Sequence, residues 1–187
     1  TLAVAVAQSS LVFSPPAGVA AKGKHVVLLS GDEEYRSEEA LPMLAKILSQ
    51  RHGFKATVLF ALDADGTINP DNQKSLPGSE ALDSADVIIL ALRFRNWPDA
   101  DMKRFEAAYK RGVPMIALRT STHPFNFPAT SPWASYTWNR KDPGAGGFGK
   151  QVLGETWISH WGKHKIEATR AVIEPSAAND ALLRGVT

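Results

Sequence analysis

The sequence predicts an α/β fold: a parallel sheet with helices on both faces. Three observations carry that prediction. Continuous apolar runs of strand length recur at 25–30, 54–60, 87–92 and 114–118, separated by segments with helical spacing or by long connections. That alternation implies right-handed crossovers and parallel strands. The residues able to do chemistry also gather after the C-terminal ends of three of these runs, where ligands bind in such sheets, while the opposite ends offer nothing comparable. Finally, 187 residues with 44% hydrophobic and 21% charged side chains suffice for one domain with a sizeable core.

The chain opens on alanine-rich sequence, TLAVAVAQSSLVF, followed by Pro15, Pro16 and small residues before Lys22. This has the make-up of the apolar and cleavage regions of a secretory signal, with processing after Ala20 or Ala21. Residues 1–21 are therefore read as the remnant of a signal, with nothing to pack against and either no fixed structure or a stray helix. A loose alanine-rich tail is the other reading. The run is shorter than the ~20 apolar residues that span a bilayer, so the expectation is an exported protein, periplasmic or extracellular, free of the membrane after cleavage. The absence of cysteine leaves stability to the core alone. A net charge of +2 without a Lys/Arg run excludes nucleic acid as an expected partner.

After the run at 25–30 comes the loop 31–37, with Asp32, Glu33, Glu34 and Arg36. Ser37 is placed to cap a helix whose apolar positions Leu41, Leu44, Ile47 and Leu48 share a face, with Gly53 ending it. The run 54–60 is a second strand, and 61–84 is a long polar connection closing in one short helix. The run 87–92 leads into Arg93, Phe94 and Arg95, then a helix capped by Asp99 with Met102, Phe105 and Tyr109 inward and Gly112 at its end. The run 114–118 delivers a polar elbow, Arg119-Thr120-Ser121-Thr122-His123-Pro124. Residues 128–165 are aromatic and glycine-rich, the mark of a functional loop or lid. A further strand is expected at 167–173 and a short helix from Ser176 to near Gly185, with the domain 22–187 incomplete at its C-terminus.

An elbow of this kind often holds a nucleophile, yet this one has neither cysteine nor a G-x-S-x-G serine. Taken in order, VVLLSGDEEYRSEEALPML, PMIALRTSTHPF and GGFGKQVLGETWISHWGKH resemble the ThuA-like (trehalose utilisation) family from about His25 onward. The resemblance implies the flavodoxin-like parallel sheet of the class I glutamine amidotransferase-like fold. It also implies a role in carbohydrate metabolism and a small-molecule carbohydrate as partner, with fusion to further sugar-processing domains in the full-length protein. Where amidotransferases place their cysteine, this sequence has Arg119, which cannot act as nucleophile or base. The resemblance thus implies a reused pocket without glutaminase activity, acting on a sugar or keto sugar. The alternative is a non-catalytic carbohydrate-binding or interaction module on the same fold.

His123 is the natural acid or base, since imidazole titrates near neutrality, and Glu33 and His160 are its companion candidates for proton transfer. Arg36, Arg93, Arg95, Arg119, Thr120 and Glu155 are the candidate substrate contacts; the bland alternative is that the arginines neutralise Asp32, Glu33 and Glu34. Trp133, Tyr136, Trp138, Trp157 and Trp161 either stack on sugar rings or form the core of the irregular segment. His160 and His164, four residues apart, raise a divalent metal such as zinc, with Glu155 and His123 as further ligands. Gly162 opposes the helix such a pair needs, and the incomplete ligand set favours direct contact of these histidines with substrate or backbone.

Overall fold

The computed structural model describes residues 9–163 and 166–186. The chain divides into two compact units, Thr1–Trp157 and Ile158–Thr187.

The first unit is built on one sheet. Its strands are β1 (Ser10–Phe13), β2 (His25–Gly31), β3 (Lys55–Leu59), β4 (Val87–Leu92) and β5 (Met115–Ala117), in the order β1-β3-β2-β4-β5. β1 runs antiparallel to β3, and every other pairing is parallel. Its α-helices among the described residues are α1 (Ser37–His52) and α2 (Asp99–Lys110). β2 is buried along its whole length, which is why it reads as an unbroken apolar run and not an alternating one. On one face Val26 and Leu28 pack with Leu41 and Ala45 of α1. On the other, Val27, Leu29, Ile88 and Leu90 meet Met102, Phe105 and Ala108 of α2, with Phe125, Phe127, Trp133 and Phe148 completing that layer. The chain leaves β2 toward β3 on one side and later returns to β4 on the other. The strand order therefore reverses between β2 and β4, and a crevice opens beyond their C-terminal ends.

Local chemistry places the helix ends where it can act. Glu38 and Glu39 lie in the first turn of α1 and Arg51 in the last, each favourable to the helix dipole. Gly53 ends α1 in a left-handed conformation, φ 76°, with its N–H and that of Phe54 closing on the Ser49 and Leu48 carbonyls. A side chain there would also strike the Ala20 carbonyl, because Lys22 N–H bonds the Gly53 carbonyl at 2.8 Å.

Several expectations are corrected. Ser10–Phe13 is neither unstructured nor helical: it pairs residue by residue with β3, from Ser10 opposite Leu59 to Phe13 opposite Ala56, and Leu11 and Phe13 join the core. The apolar run that reads as a signal supplies the strand that covers the β3 edge. Residues 1–8 of the presumed leader lie outside the described residues. Ser37 is the first residue of α1 and not its cap, since its hydroxyl turns back to Ser30 and to the backbone of Asp32. Asp99 likewise starts α2 and accepts from Trp133 Nε1 at 2.9 Å. Ile47 is exposed and Tyr109 only part covered.

In the second unit no strand forms at 167–173, and the helix expected from Ser176 is two short 3-10 turns, Pro175–Ala177 and Ala181–Leu183. A strand needs a neighbour to take its backbone hydrogen bonds, and this unit has none to offer among its described residues.

Two predictions follow from these contacts. Deleting residues 1–13 strips the β3 edge and should lower the urea midpoint of unfolding; an unchanged midpoint would show that β1 contributes nothing. His25 is buried with Nδ1 2.9 Å from Ser84 Oγ and Nε2 2.8 Å from Thr57 Oγ1. Burial, helped by the charge of Lys55, holds its pKa below the usual 6.5, outweighing Ser84 and Asp86. The unfolded chain therefore binds the proton more readily, so this contribution to stability is complete above about pH 6.5 and is lost as pH falls toward the folded-state value. His25→Gln should flatten that part of the stability–pH curve, measured by denaturant unfolding across it.

Candidate functional site

Loops from the ends of β2, β4 and β5 meet above the sheet. The Arg93 N–H donates to the Gly31 carbonyl at 2.9 Å. Phe94 and Arg95 N–H groups donate to the His123 and Pro124 carbonyls at 3.1 and 2.7 Å, and Asn126 N–H returns to Arg95 at 2.9 Å. The elbow, a 3-10 turn over Arg119–Thr122, is pinned from both sides. Thr120 Oγ1 donates to Asp32 Oδ2, and Ser121 Oγ donates to the Leu90 carbonyl at 3.0 Å while accepting from Leu92 N–H at 3.1 Å. Asp32 itself is buried, and its other oxygen caps the Glu34 and Tyr35 N–H groups. Each loop contains one non-glycine residue in the left-handed region: Arg36 (φ 54°), Phe94 (φ 52°) and Arg119 (φ 43°). Such backbone costs on the order of 1–3 kcal/mol per residue and is kept where the surroundings over-determine it, most often at functional sites.

The charged residues sort into two groups. Glu33 is held by both Arg93 and Arg95, the latter at 3.0 Å, and Arg93 Nε also lies 3.2 Å from Glu34. The Arg95 side chain is 0% exposed. Its remaining donors reach the carbonyls of Arg93 (2.6 Å), Pro70 (2.8 Å) and Asn72 (3.4 Å). Burial presses its pKa down, and the neighbouring Glu33 and Asp32 oppose that shift. These contacts also explain Gly31: a Cβ there would sit 2.9 Å from Arg95 Cδ. Arg93 and Arg95 thus both pair with Glu33, as the neutralising alternative has it. Both carboxylate oxygens of Glu33 are therefore engaged by guanidinium groups.

The second group surrounds His123. The imidazole is buried, with Nδ1 3.3 Å from Thr122 Oγ1. Its ring centroid lies 5.0 Å from that of Phe94 and 5.3 Å from that of Trp157. Trp138 closes the cluster, 5.6 Å from Phe94 and 5.1 Å from Trp157. Arg119, exposed at the elbow, lays its guanidinium 3.9 Å over the Tyr35 ring.

The sequence candidates divide accordingly. Arg93, Arg95, Glu33, Arg119, Thr120 and His123 do come together. Arg36 is exposed and pairs with Glu39. Glu155 is exposed and turned to Lys150 at 3.4 Å; the Thr156 N–H, then Lys150, hold its pKa below the usual value. Of the aromatic candidates, Trp133 and Tyr136 pack in or against the core, Trp138 and Trp157 flank His123, and Trp161 is exposed in the second unit. His160 also belongs to that second unit, and His164 lies outside the described residues. Among the described residues no three of His, Cys, Asp or Glu gather as a metal-binding set. The glycines at 147 and 149 serve close packing: a side chain on Gly149 would collide with the Thr122 carbonyl of the elbow, and one on Gly147 with Thr137. Phe94 and Tyr35 were not legible as site residues, since nothing in a lone aromatic beside a charge marks it as a stacking surface.

No family model, curated protein or solved structure matches the chain.

What the arrangement offers chemically is a buried imidazole against aromatic rings and, on the same elbow, an exposed guanidinium, with paired charges alongside. Gly31→Ala tests the frame. Forcing a methyl against Arg95 should cost about 1–3 kcal/mol, as overpacking does, read as a drop in the denaturant midpoint. Full retention of stability would mean Arg95 is not held where described.

Proposed function

We propose that this crevice binds a sugar or keto sugar and that His123 moves a proton on it, in a ThuA-like domain without glutaminase activity. The observation that carries the reading is the grouping of Phe94, Trp138 and Trp157 around His123 beyond the strand ends. Aromatic faces stack on the C–H faces of sugar rings, and an imidazole beside them is suited to general acid–base work near neutral pH. By the resemblance Arg119 takes the place of an amidotransferase's nucleophile, and the chain has no cysteine, so ammonia release from glutamine is not expected. The second reading, a carbohydrate-binding module without turnover, is favoured by one observation: both oxygens of Glu33 are engaged by Arg93 and Arg95, which withdraws the most obvious carboxylate partner for His123.

Export is part of the proposal, with one adjustment. Processing after Ala20 or Ala21 would remove β1, whereas processing ahead of Ser10 leaves the sheet whole. Further sugar-processing domains in the full-length protein fit the same role.

Tryptophan fluorescence titration with a panel of mono- and disaccharides and their keto derivatives tests binding, and product analysis tests turnover. The expected result is quenching by one class of sugar, weakened about tenfold in Trp138→Ala, as loss of one stacking platform does. For an enzyme, His123→Asn should abolish turnover with binding retained. Binding without turnover in the wild type would establish the module reading, and no response to any sugar would refute both.

A further inference from the structure

We propose that the sugar bound here carries an anionic oxygen group, a carboxylate or a phosphate, and that Arg119 is the residue that holds it. This rests on the sugar reading above and narrows its substrate class.

The inference comes from how the arginines around the crevice are used. Arg95 is buried and engaged by Glu33 and three backbone carbonyls. Arg93 bridges Glu33 and Glu34. Arg36 pairs with Glu39. Arg119 alone of these four pairs with no carboxylate among the described residues; its guanidinium carbon instead sits over the Tyr35 ring, 3.9 Å from the centroid. A guanidinium held over an aromatic ring spends no N–H group on a carboxylate, so its forked donors stay available to match the two oxygens of a carboxylate or phosphate.

Arg119 is also positioned at a cost. Its backbone is left-handed, at φ 43°, a conformation an L-residue with a long side chain adopts only under constraint. The constraint is visible next door, where Thr120 is fastened to Asp32 and Ser121 to β4. Pinning the elbow this way aims the side chain of residue 119 out beyond the strand ends and toward the β2 loop that carries Tyr35. The nearby acids do not cancel it: Glu33 and Glu34 are paired elsewhere, and Asp32 is buried behind Thr120 with both oxygens accepting hydrogen bonds. What the elbow offers a ligand is one exposed cation held over Tyr35, in the same turn that ends at His123.

The test is isothermal titration of the whole protein with D-glucose, D-glucuronate, D-glucose 6-phosphate, acetate and inorganic phosphate at fixed ionic strength. Arg119→Asn is the variant of choice, because asparagine tolerates the left-handed backbone while removing the cation. Tyr35→Leu removes the stacking platform and keeps the charge. The expected result is that one anionic sugar binds about tenfold or more tighter than glucose, that Arg119→Asn erases this difference between them, and that Tyr35→Leu reduces it in part. Which of the two anionic sugars gains more identifies carboxylate or phosphate as the recognised group. Equal binding of glucose and both anionic sugars, or a preference that survives in Arg119→Asn, overturns the inference while leaving the sugar reading intact. Arg119-dependent binding of acetate or phosphate with no sugar bound at all overturns the sugar reading instead and keeps Arg119 as an anion contact. Silence with every ligand overturns both.

Discussion

The buried guanidinium of Arg95 is what the crevice is built around. Removing a cation from water is unfavourable by several kcal/mol unless its donors are met. Here they are met by Glu33 from the β2 loop, by Pro70 and Asn72 from the long polar connection, and by Arg93 within the β4 loop. The backbone of the same residue pairs with Pro124 and Asn126 beyond the elbow. One side chain and its peptide groups therefore draw four segments together at the point where the strand order reverses. The 61–84 connection, which reads as a featureless polar loop, acquires a reason for its path: two of its carbonyls solvate a charge that water does not reach. Gly31 follows from the same requirement, since the arginine stem passes where a Cβ would stand.

That frame divides the polar residues at the strand ends by role. Glu33, Arg93 and Arg95 belong to it, with Glu33 paired to both arginines. Asp32 and Thr120 fasten the elbow to the β2 loop. His123 stands among Phe94 and Trp157, and Arg119 lies over Tyr35; these are the residues proposed to meet a ligand. The three left-handed residues, one per loop, agree with this division: the frame's hydrogen bonds are strong enough to impose uncommon backbone at Phe94 and Arg119, the two whose side chains face the aromatic and cationic parts of the crevice.

Much of this could be read from the chain. β2, β3, β4 and β5 were legible because buried parallel strands are continuous apolar runs, and α1 and α2 because Leu41 and Met102 with Phe105 recur at helical spacing. The location of the crevice followed from the asymmetry of charge between the two ends of those strands. β1 was not legible, because a short apolar run before proline carries the same composition whether it leads a protein through a membrane or edges a sheet. The run at 167–173 misled for the opposite reason: strand-like composition forms a strand only where another strand receives it. Within the site, the sequence could place Glu33, Arg93 and Arg95 in one neighbourhood but could not say whether they face one another or a ligand, since that depends on distances no spacing encodes. Glu155 and Arg36 looked equally eligible until their exposure and their pairing with Lys150 and Glu39 were seen.

The central claim is that Glu33 and the buried Arg95 form one unit that frames the crevice. A double-mutant cycle on unfolding free energy, with Glu33→Gln, Arg95→Met and the pair together, measures this most directly. Each single change should be strongly destabilising, by about 3–5 kcal/mol for the one that strands a buried charge, and the double variant should be far less damaging than their sum. Additive effects would contradict the account, for they would mean that the two side chains do not depend on each other and that Glu33 is available for chemistry after all.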